Sequence, residues 1–310
     1  MIIASEAARI TENFYCLGPS PVPLFLLDGD TPVIFDAGIY LWGPEYLKSI
    51  RTFIGNRIPR YLFLTHMHFD HCGAAGYLKK MLPGLQIGAS REGRDIIDKP
   101  SAVALITRLN AFGSNESRTF EQFTVDRILE DGERIHVSDR LSVQVIKTPG
   151  HTRDMLSYYI PELKILMPSE SVGVPGIGDH IFSEFLVDYD VYIQSLQRLL
   201  HYDVDYLILS HGTYYTENDA REFIPRAIEQ TAMFRDKIES LLALHGDDYD
   251  TIARIIKQEE YDVLDSAGKQ PESAYMLNLN AKIKTIAKIT KKKDPVGALR
   301  QTADARNDAL

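Results

Sequence analysis

The chain has 310 residues, of which 45% are hydrophobic and 25% charged. That is the composition of a soluble globular protein with room for one large domain and an appendage. The net charge of −9 disfavours a nucleic-acid groove, which needs a basic footprint. Two cysteines, Cys16 and Cys72, form no recognisable framework, and the first ten residues carry Glu6 and Arg9 in place of an apolar signal core. No apolar run reaches the length of a membrane span. The expectation is a reduced, cytoplasmic protein with no nucleic-acid or membrane partner.

Three short β-type runs open the chain, at residues 14–17, 24–27 and 33–35, punctuated by Gly and Pro. They read as antiparallel strands. Asp36-Ala37-Gly38 ends the third, and Asp36 is either a turn former or a carboxylate that holds a ligand histidine by its second nitrogen. Residues 44–55 place Tyr46, Leu47, Ile50 and Phe53 at helical spacing.

The run Tyr61-Leu62-Phe63-Leu64 then leads into Thr65-His66-Met67-His68-Phe69-Asp70-His71-Cys72. In an extended segment side chains alternate, so His66 and His68 point the same way and share one ion. Asp70 and His71 turn aside and supply a second. A helix over 73–82 and a strand over 85–89 follow. Residues 91–128, with Val103, Leu105, Ile106, Leu109 and Phe112, read as a helical insertion.

Four further features complete the first 215 residues. The strand 141–146 delivers His151 on a Pro149-Gly150 turn, and strands at 155–160 and 165–167 lead into Ser169-Glu170. The Gly-rich loop 172–180 has no Lys and no helix signal at once after it, so it does not read as a nucleotide loop; its position just after Glu170 makes it a candidate wall of the site. His180 within it is either a substrate contact or a solvated loop histidine. A helix over 192–200 precedes the strand 206–209, which leads into His211. His151, Glu170 and His211 thus each sit just past an apolar run, where open sheets place their sites. Beyond this, residues 216–292 carry helical faces and no strand signal, with Pro225 starting or kinking the first helix. They read as a helical appendage serving as structural support or as a lid, and 293–310 as a polar, disordered tail.

The H-x-H-x-D-H run followed in order by His151, Glu170 and His211 resembles the signature of the metallo-β-lactamase superfamily of metal-dependent hydrolases, over roughly residues 10–215. The resemblance implies an α/β (α+β) fold, the four-layer αββα metallo-β-lactamase fold, with an appended helical end. It implies two divalent metal ions, Zn with Fe or Mn as alternatives: one held by His66, His68 and His151, the other by Asp70, His71 and His211, with Glu170 between them. One position departs from the family, where the bridging residue is normally Asp. Asp36 resembles the family's acidic turn near the ligands. The implied chemistry is hydroxide attack on a thioester or ester carbonyl of a small acyl substrate, with Asp70 or Glu170 managing the proton. The helical end is similar to glyoxalase-II-like and quinolone-signal-response-type thioesterases. A lactonase, phosphodiesterase or β-lactamase, or a non-catalytic ligand-binding member, stays open, as does a homodimer.

Overall fold

The computed structural model describes residues 2–3, 7–19, 21–111, 120–264 and 271–293. In the first half the chain runs β1 (Ile2–Ile3), β2 (Ala8–Arg9), β3 (Phe14–Leu17), β4 (Leu24–Leu27), β5 (Val33–Phe35), α1 (Gly43–Ile54), β6 (Tyr61–Phe63), α2 (Phe69–Cys72), α3 (Ala75–Met81), β7 (Gln86–Ala89), α4 (Arg91–Ile97), α5 (Pro100–Asn110) and β8 (Arg127–Ile128). The second half runs β9 (Arg134–Ser138), β10 (Leu141–Lys147), β11 (Leu156–Ile160), β12 (Ile165–Met167), β13 (Val174–Pro175), β14 (Ile181–Phe182), α6 (Tyr189–Leu199), β15 (Tyr206–Ile208), β16 (Thr213–Thr216), α7 (Glu217–His245), α8 (Tyr249–Glu260) and α9 (Glu272–Lys293).

Among the described residues these strands form two seven-stranded sheets and one small hairpin, β13–β14. The first sheet has the order β2-β3-β4-β5-β6-β7-β8, parallel from β5 onward. The second has the order β1-β16-β15-β12-β11-β10-β9. Side chains alternate across each strand, and the buried clusters follow that alternation. Phe25, Leu27, Val33 and Phe35 face Val143, Val145, Leu156, Tyr158 and Met167 between the sheets. Leu24, Leu26 and Ile34 face outward onto α1, α3 and α5 through Tyr46, Ile50, Leu78 and Ile106. The outer face of the second sheet (Ile146, Leu166, Leu207) packs with Leu196 of α6, Phe223 and Ile238 of α7, Ile256 of α8 and Ile283 of α9. This is the four-layer αββα arrangement, with each middle sheet apolar on both faces.

The strands at 14–17, 24–27 and 33–35 occur at those bounds. The expected helix over 73–82 does not. A four-residue turn, α2, already carries Asp70 and His71, and α3 starts only at Ala75. The break occurs because Gly73 N and Ala74 N donate to Gly38 O (2.8 Å) and Ala37 O (3.1 Å) of the β5–α1 turn. A Cβ at Gly73 would sit 2.5–2.7 Å from Phe69 O and Gly38 O, so the close approach requires glycine. The helix expected from 192 begins at Tyr189, because Asp188 Oδ1 accepts Val191 N–H at 3.0 Å as its cap.

Strands β1, β2, β8, β9 and β16 are absent from the sequence expectation; four of them have only two or four residues, too few for a period. Helix α7 runs from Glu217 through Pro225, so that proline does not start it. Residues 91–128 carry two helices, α4 and α5, and the strand β8 of the first sheet; Leu105 is exposed while Ile106 is buried. Phe112 and the tail 294–310 lie outside the described residues. No helix among the described residues is long and apolar enough to cross a membrane.

Candidate metal centre

The two sheets converge their strand ends on one spot. His66 lies three residues past β6, His151 four past β10, Glu170 three past β12 and His211 three past β15. The ligating atoms form three groups, each with its members within 4.8 Å of one another: His66, His68 and His151; His66, His71 and Glu170; Asp70, His71 and His211. His68 Nδ1 and His151 Nε2 face each other at 3.3 Å. Glu170 Oε1 lies 3.0 Å from both His71 Nε2 and His211 Nε2, and its Oε2 lies 3.9 Å from His66 Nε2. Asp70 Oδ2 is 4.0 Å from His71 Nε2. All seven residues singled out in the sequence as ligands are therefore brought together, with Glu170 central.

The far side of the rings sets which nitrogen faces inward. The carboxylate of Asp36 can only accept, so His71 Nδ1–H donates to its Oδ2 at 2.9 Å. The Glu184 carbonyl likewise accepts from His151 Nδ1 at 2.8 Å. The Thr65 hydroxyl donates to Asp36 (3.0 Å) and accepts from His66 Nδ1 at 3.0 Å. These partners leave Nε2 of His66, His71 and His151 aimed into the centre, as metal-ligating imidazoles require. Asp36 thus bonds His71 and Thr65 N (2.7 Å) together. His180 stands apart, exposed on the β13–β14 turn with its ring against Phe182, in none of the three groups.

Backbone conformation supports the same spot. Asp36 (φ 58°), Ser169 (φ 52°) and His211 (φ 65°) all adopt positive φ, which costs a non-glycine residue about 1 kcal/mol or more and concentrates at functional sites. Ser169 Oγ donates to Glu170 Oε2 at 2.5 Å and contacts Ser210 Oγ at 2.7 Å.

Electrostatics divide the cluster in two. Burial lowers His66 and His151, and takes His68 down to about 4. Burial is the largest effect on His71 and His211 too and opposes their charge, but on His71 Glu170, Asp36 and Asp70 together outweigh it, as Glu170 and Asp70 do on His211, and both histidines are raised. Burial alone would raise Glu170; His71 and His211 overcome it and hold the carboxylate well below its ordinary range. Ligation at His71 and His211 therefore requires their protons to leave.

The residues fit a pair of divalent ions. His66 Nε2 is buried, faces the cluster and has no hydrogen-bond partner, a costly state for a polar atom unless something ligates it. Neutral imidazoles with carboxylate oxygens suit Zn, Fe or Mn. The buried floor is His66, His71, His151 and Glu170. Asp70 (23% exposed) and His211 (30%) are the more accessible members.

Sequence reasoning missed Thr65, Asp154 and Glu184. Asp154 is buried and accepts Met67 N–H at 2.9 Å, holding the backbone between His66 and His68. Glu184 acts through its carbonyl, which every residue type possesses, so no residue pattern marks it.

The profile described as the metallo-beta-lactamase superfamily matches residues 17–211. Among curated proteins, "Glyoxylase B2" of Dictyostelium discoideum is 32% identical over 120 residues, 39% of this chain and 38% of its own length. "Hydroxyacylglutathione hydrolase GloC" of Haemophilus influenzae is 30% identical over 159 residues, 51% of this chain and 70% of its own. The hydroxyacylglutathione hydrolase of Bartonella tribocorum is 25% identical, with 64% and 66% covered. The match thus spans little more than a third of the first relative and about two thirds of the other two. Among solved structures, the archaeal superfamily protein ST1585 from Sulfolobus tokodaii superposes with a TM-score of 0.58 at 14% identity, covering 90% of this chain and 99% of that one. The Cronobacter sakazakii metallo-beta-lactamase with the HARLDQ motif gives 0.56 at 21%, covering 76% and 95%. At these identities the structural likeness concerns the fold alone.

Proposed function

The chain belongs to the metallo-β-lactamase superfamily of metal-dependent hydrolases, and from that membership we propose that it hydrolyses an acyl thioester at a centre for two divalent ions, zinc before iron or manganese. The observation that carries the reading is the convergence of four strand ends on the orphaned His66 Nε2, with the outward nitrogens of His66, His71 and His151 already engaged. His66, His68 and His151 would hold one ion and Asp70, His71 and His211 the other, with Glu170, grouped with His66 and His71, lying between the two sets. Bound there, such ions polarise a carbonyl and bring the pKa of water near neutrality.

The chain's own groups divide the remaining work. Both oxygens of Glu170 are engaged, Oε1 by two imidazoles and Oε2 by Ser169 Oγ. Its extra methylene, relative to the family's Asp, lets one oxygen reach His71 and His211 together. Asp70 is the more accessible carboxylate, and it takes the proton from the water that adds to the thioester carbonyl. The C–S bond then breaks, and the thiolate leaves with that proton as a thiol. The thioester preference draws on the relatives named hydroxyacylglutathione hydrolase.

The test is turnover of a thioester panel by zinc-loaded protein beside lactone, phosphodiester and β-lactam controls. Thioester hydrolysis that falls by several orders of magnitude in His151→Ala supports the reading. Hydrolysis confined to another ester class overturns the substrate assignment. Two bound equivalents of metal with no turnover of any class would instead make the protein a ligand-binding member of the family.

A further inference from the structure

Lys282 of α9 is 2% exposed, lies far in sequence from every ligand, and is used by nothing described above. Its Nζ donates to Ser183 O at 2.8 Å and lies 3.4 Å from Glu184 Oε1. One turn earlier on the same helix face, Asn278 Nδ2 donates to Glu184 Oε2 at 3.2 Å. Thr285 Oγ1 of α9 donates to Leu186 O at 3.2 Å, and Ser183 Oγ meets Thr231 Oγ1 of α7 at 2.9 Å. The segment 183–186 is thereby strapped to the two long helices. Glu184 O, in that strap, accepts His151 Nδ1–H.

We propose that Lys282, Asn278 and Glu184 are positioning residues for the three-histidine metal site, so that helix α9 sets the orientation of His151. This rests on the metal reading above. The geometry explains why the arrangement works. Residues 183–185 carry no helix or strand ladder, so nothing in the sheet fixes their peptide planes. Lys282 holds Ser183 O, and the next carbonyl along the chain, Glu184 O, accepts His151 Nδ1–H. The Glu184 carboxylate is a rival acceptor, with Oε2 only 3.9 Å from His151 Nδ1. Lys282 and Asn278 hold it away and supply the partners that a buried carboxylate needs.

A core-filling role for Lys282 is a poor alternative. An apolar side chain would fill the volume without the desolvation cost of an ammonium group. The ammonium also lies 5.4 Å from the Phe234 ring centroid, so its charge has an aromatic face on one side and the strap on the other.

The experiment titrates Zn²⁺ into metal-free full-length protein against a chromophoric chelator, with thermal unfolding of the same metal-free samples alongside. Lys282→Met keeps the stem and removes the charge; it is expected to weaken one Zn²⁺ equivalent about 10- to 100-fold, the usual effect of losing an outer partner of a ligand. Asn278→Ala, which removes one bond and no charge, should weaken it about 3- to 10-fold and keeps the test available should Lys282→Met not fold. Combining Lys282→Met with Glu184→Gln should restore part of the affinity, because the neutral amide needs no counter-charge. A purely structural lysine would lower the unfolding temperature and leave Zn²⁺ affinity of the folded chain unchanged; native affinity in folded Lys282→Met, or in Asn278→Ala, overturns the proposal. If the unsubstituted chain binds no Zn²⁺ at all, the metal reading itself has failed, an outcome distinct from native affinity in the variants.

Discussion

Replacing Asp36 by Asn tests the centre at a residue that touches no metal. Asp36 accepts three donors: Thr65 N–H at 2.7 Å and Thr65 O–H at 3.0 Å, both within reach of Oδ1, and His71 Nδ1–H at 2.9 Å on Oδ2. Asn keeps one carbonyl oxygen for Thr65 and puts an NH₂ where Oδ2 was. That NH₂ cannot accept from His71, so the imidazole either loses its partner or moves its proton to Nε2, the nitrogen aimed at the centre. A hydrogen bond to a charged partner is worth about 1.5–3 kcal/mol, or about 10- to 150-fold in affinity. Asn also tolerates the positive φ of 58° at this position, so the fold should survive where Ala would add strain. Zn²⁺ titration should therefore show one equivalent weakened by that factor, with thioester turnover falling in parallel; the unfolding temperature of metal-free protein should also fall, because the His71–Asp36 bond is present without metal. Two equivalents bound with native affinity by Asp36→Asn would refute the claim that Asp36 sets the His71 tautomer.

Two stability predictions follow from the helical end. Ile283 of α9 is fully buried in the cluster shared with α6 and the second sheet, so Ile283→Ala should cost about 2–5 kcal/mol in urea unfolding; a loss below about 1 kcal/mol would mean that α9 is not part of that core. Glu260 is raised mainly by burial, with Lys237 at 3.8 Å and Tyr275 at 3.5 Å as its partners. A carboxyl raised in the folded state makes stability fall as pH climbs from its unfolded value, near 4.5, through the raised folded value. Glu260→Gln removes that loss, so its unfolding temperature should gain on the unsubstituted protein across this window and hold the gain above it. A gap independent of pH would sink the assignment.

Much of the centre was legible because metal chemistry restricts residue types. His66, His68, Asp70 and His71 share one short segment, and His151, Glu170 and His211 each follow an apolar run. Ligands for hard or borderline divalent ions come from few side chains, and sheets place them past strand ends. The opening strands were equally readable, since β4 and β5 are apolar throughout and bounded by turn residues. Helix α3 was misplaced because its start depends on Gly73 and Ala74 bonding to the β5–α1 turn, more than thirty residues earlier. Strand β16 was unseen because it is defined by pairing with β15 and not by a period of its own.

The sequence by itself determined the types and order of the candidate ligands and, through the family resemblance they carry, the layered α/β architecture, because side-chain chemistry is a local property of the chain. Only the tertiary structure decided which nitrogen of each histidine faces inward, that Asp36 and Thr65 act together, and that Glu170 reaches His71 and His211 with one oxygen. It alone brought Lys282 to the strap behind His151. Those outcomes depend on backbone carbonyls, tautomers and contacts between residues up to a hundred positions apart, and none of these leaves a pattern in the order of residues.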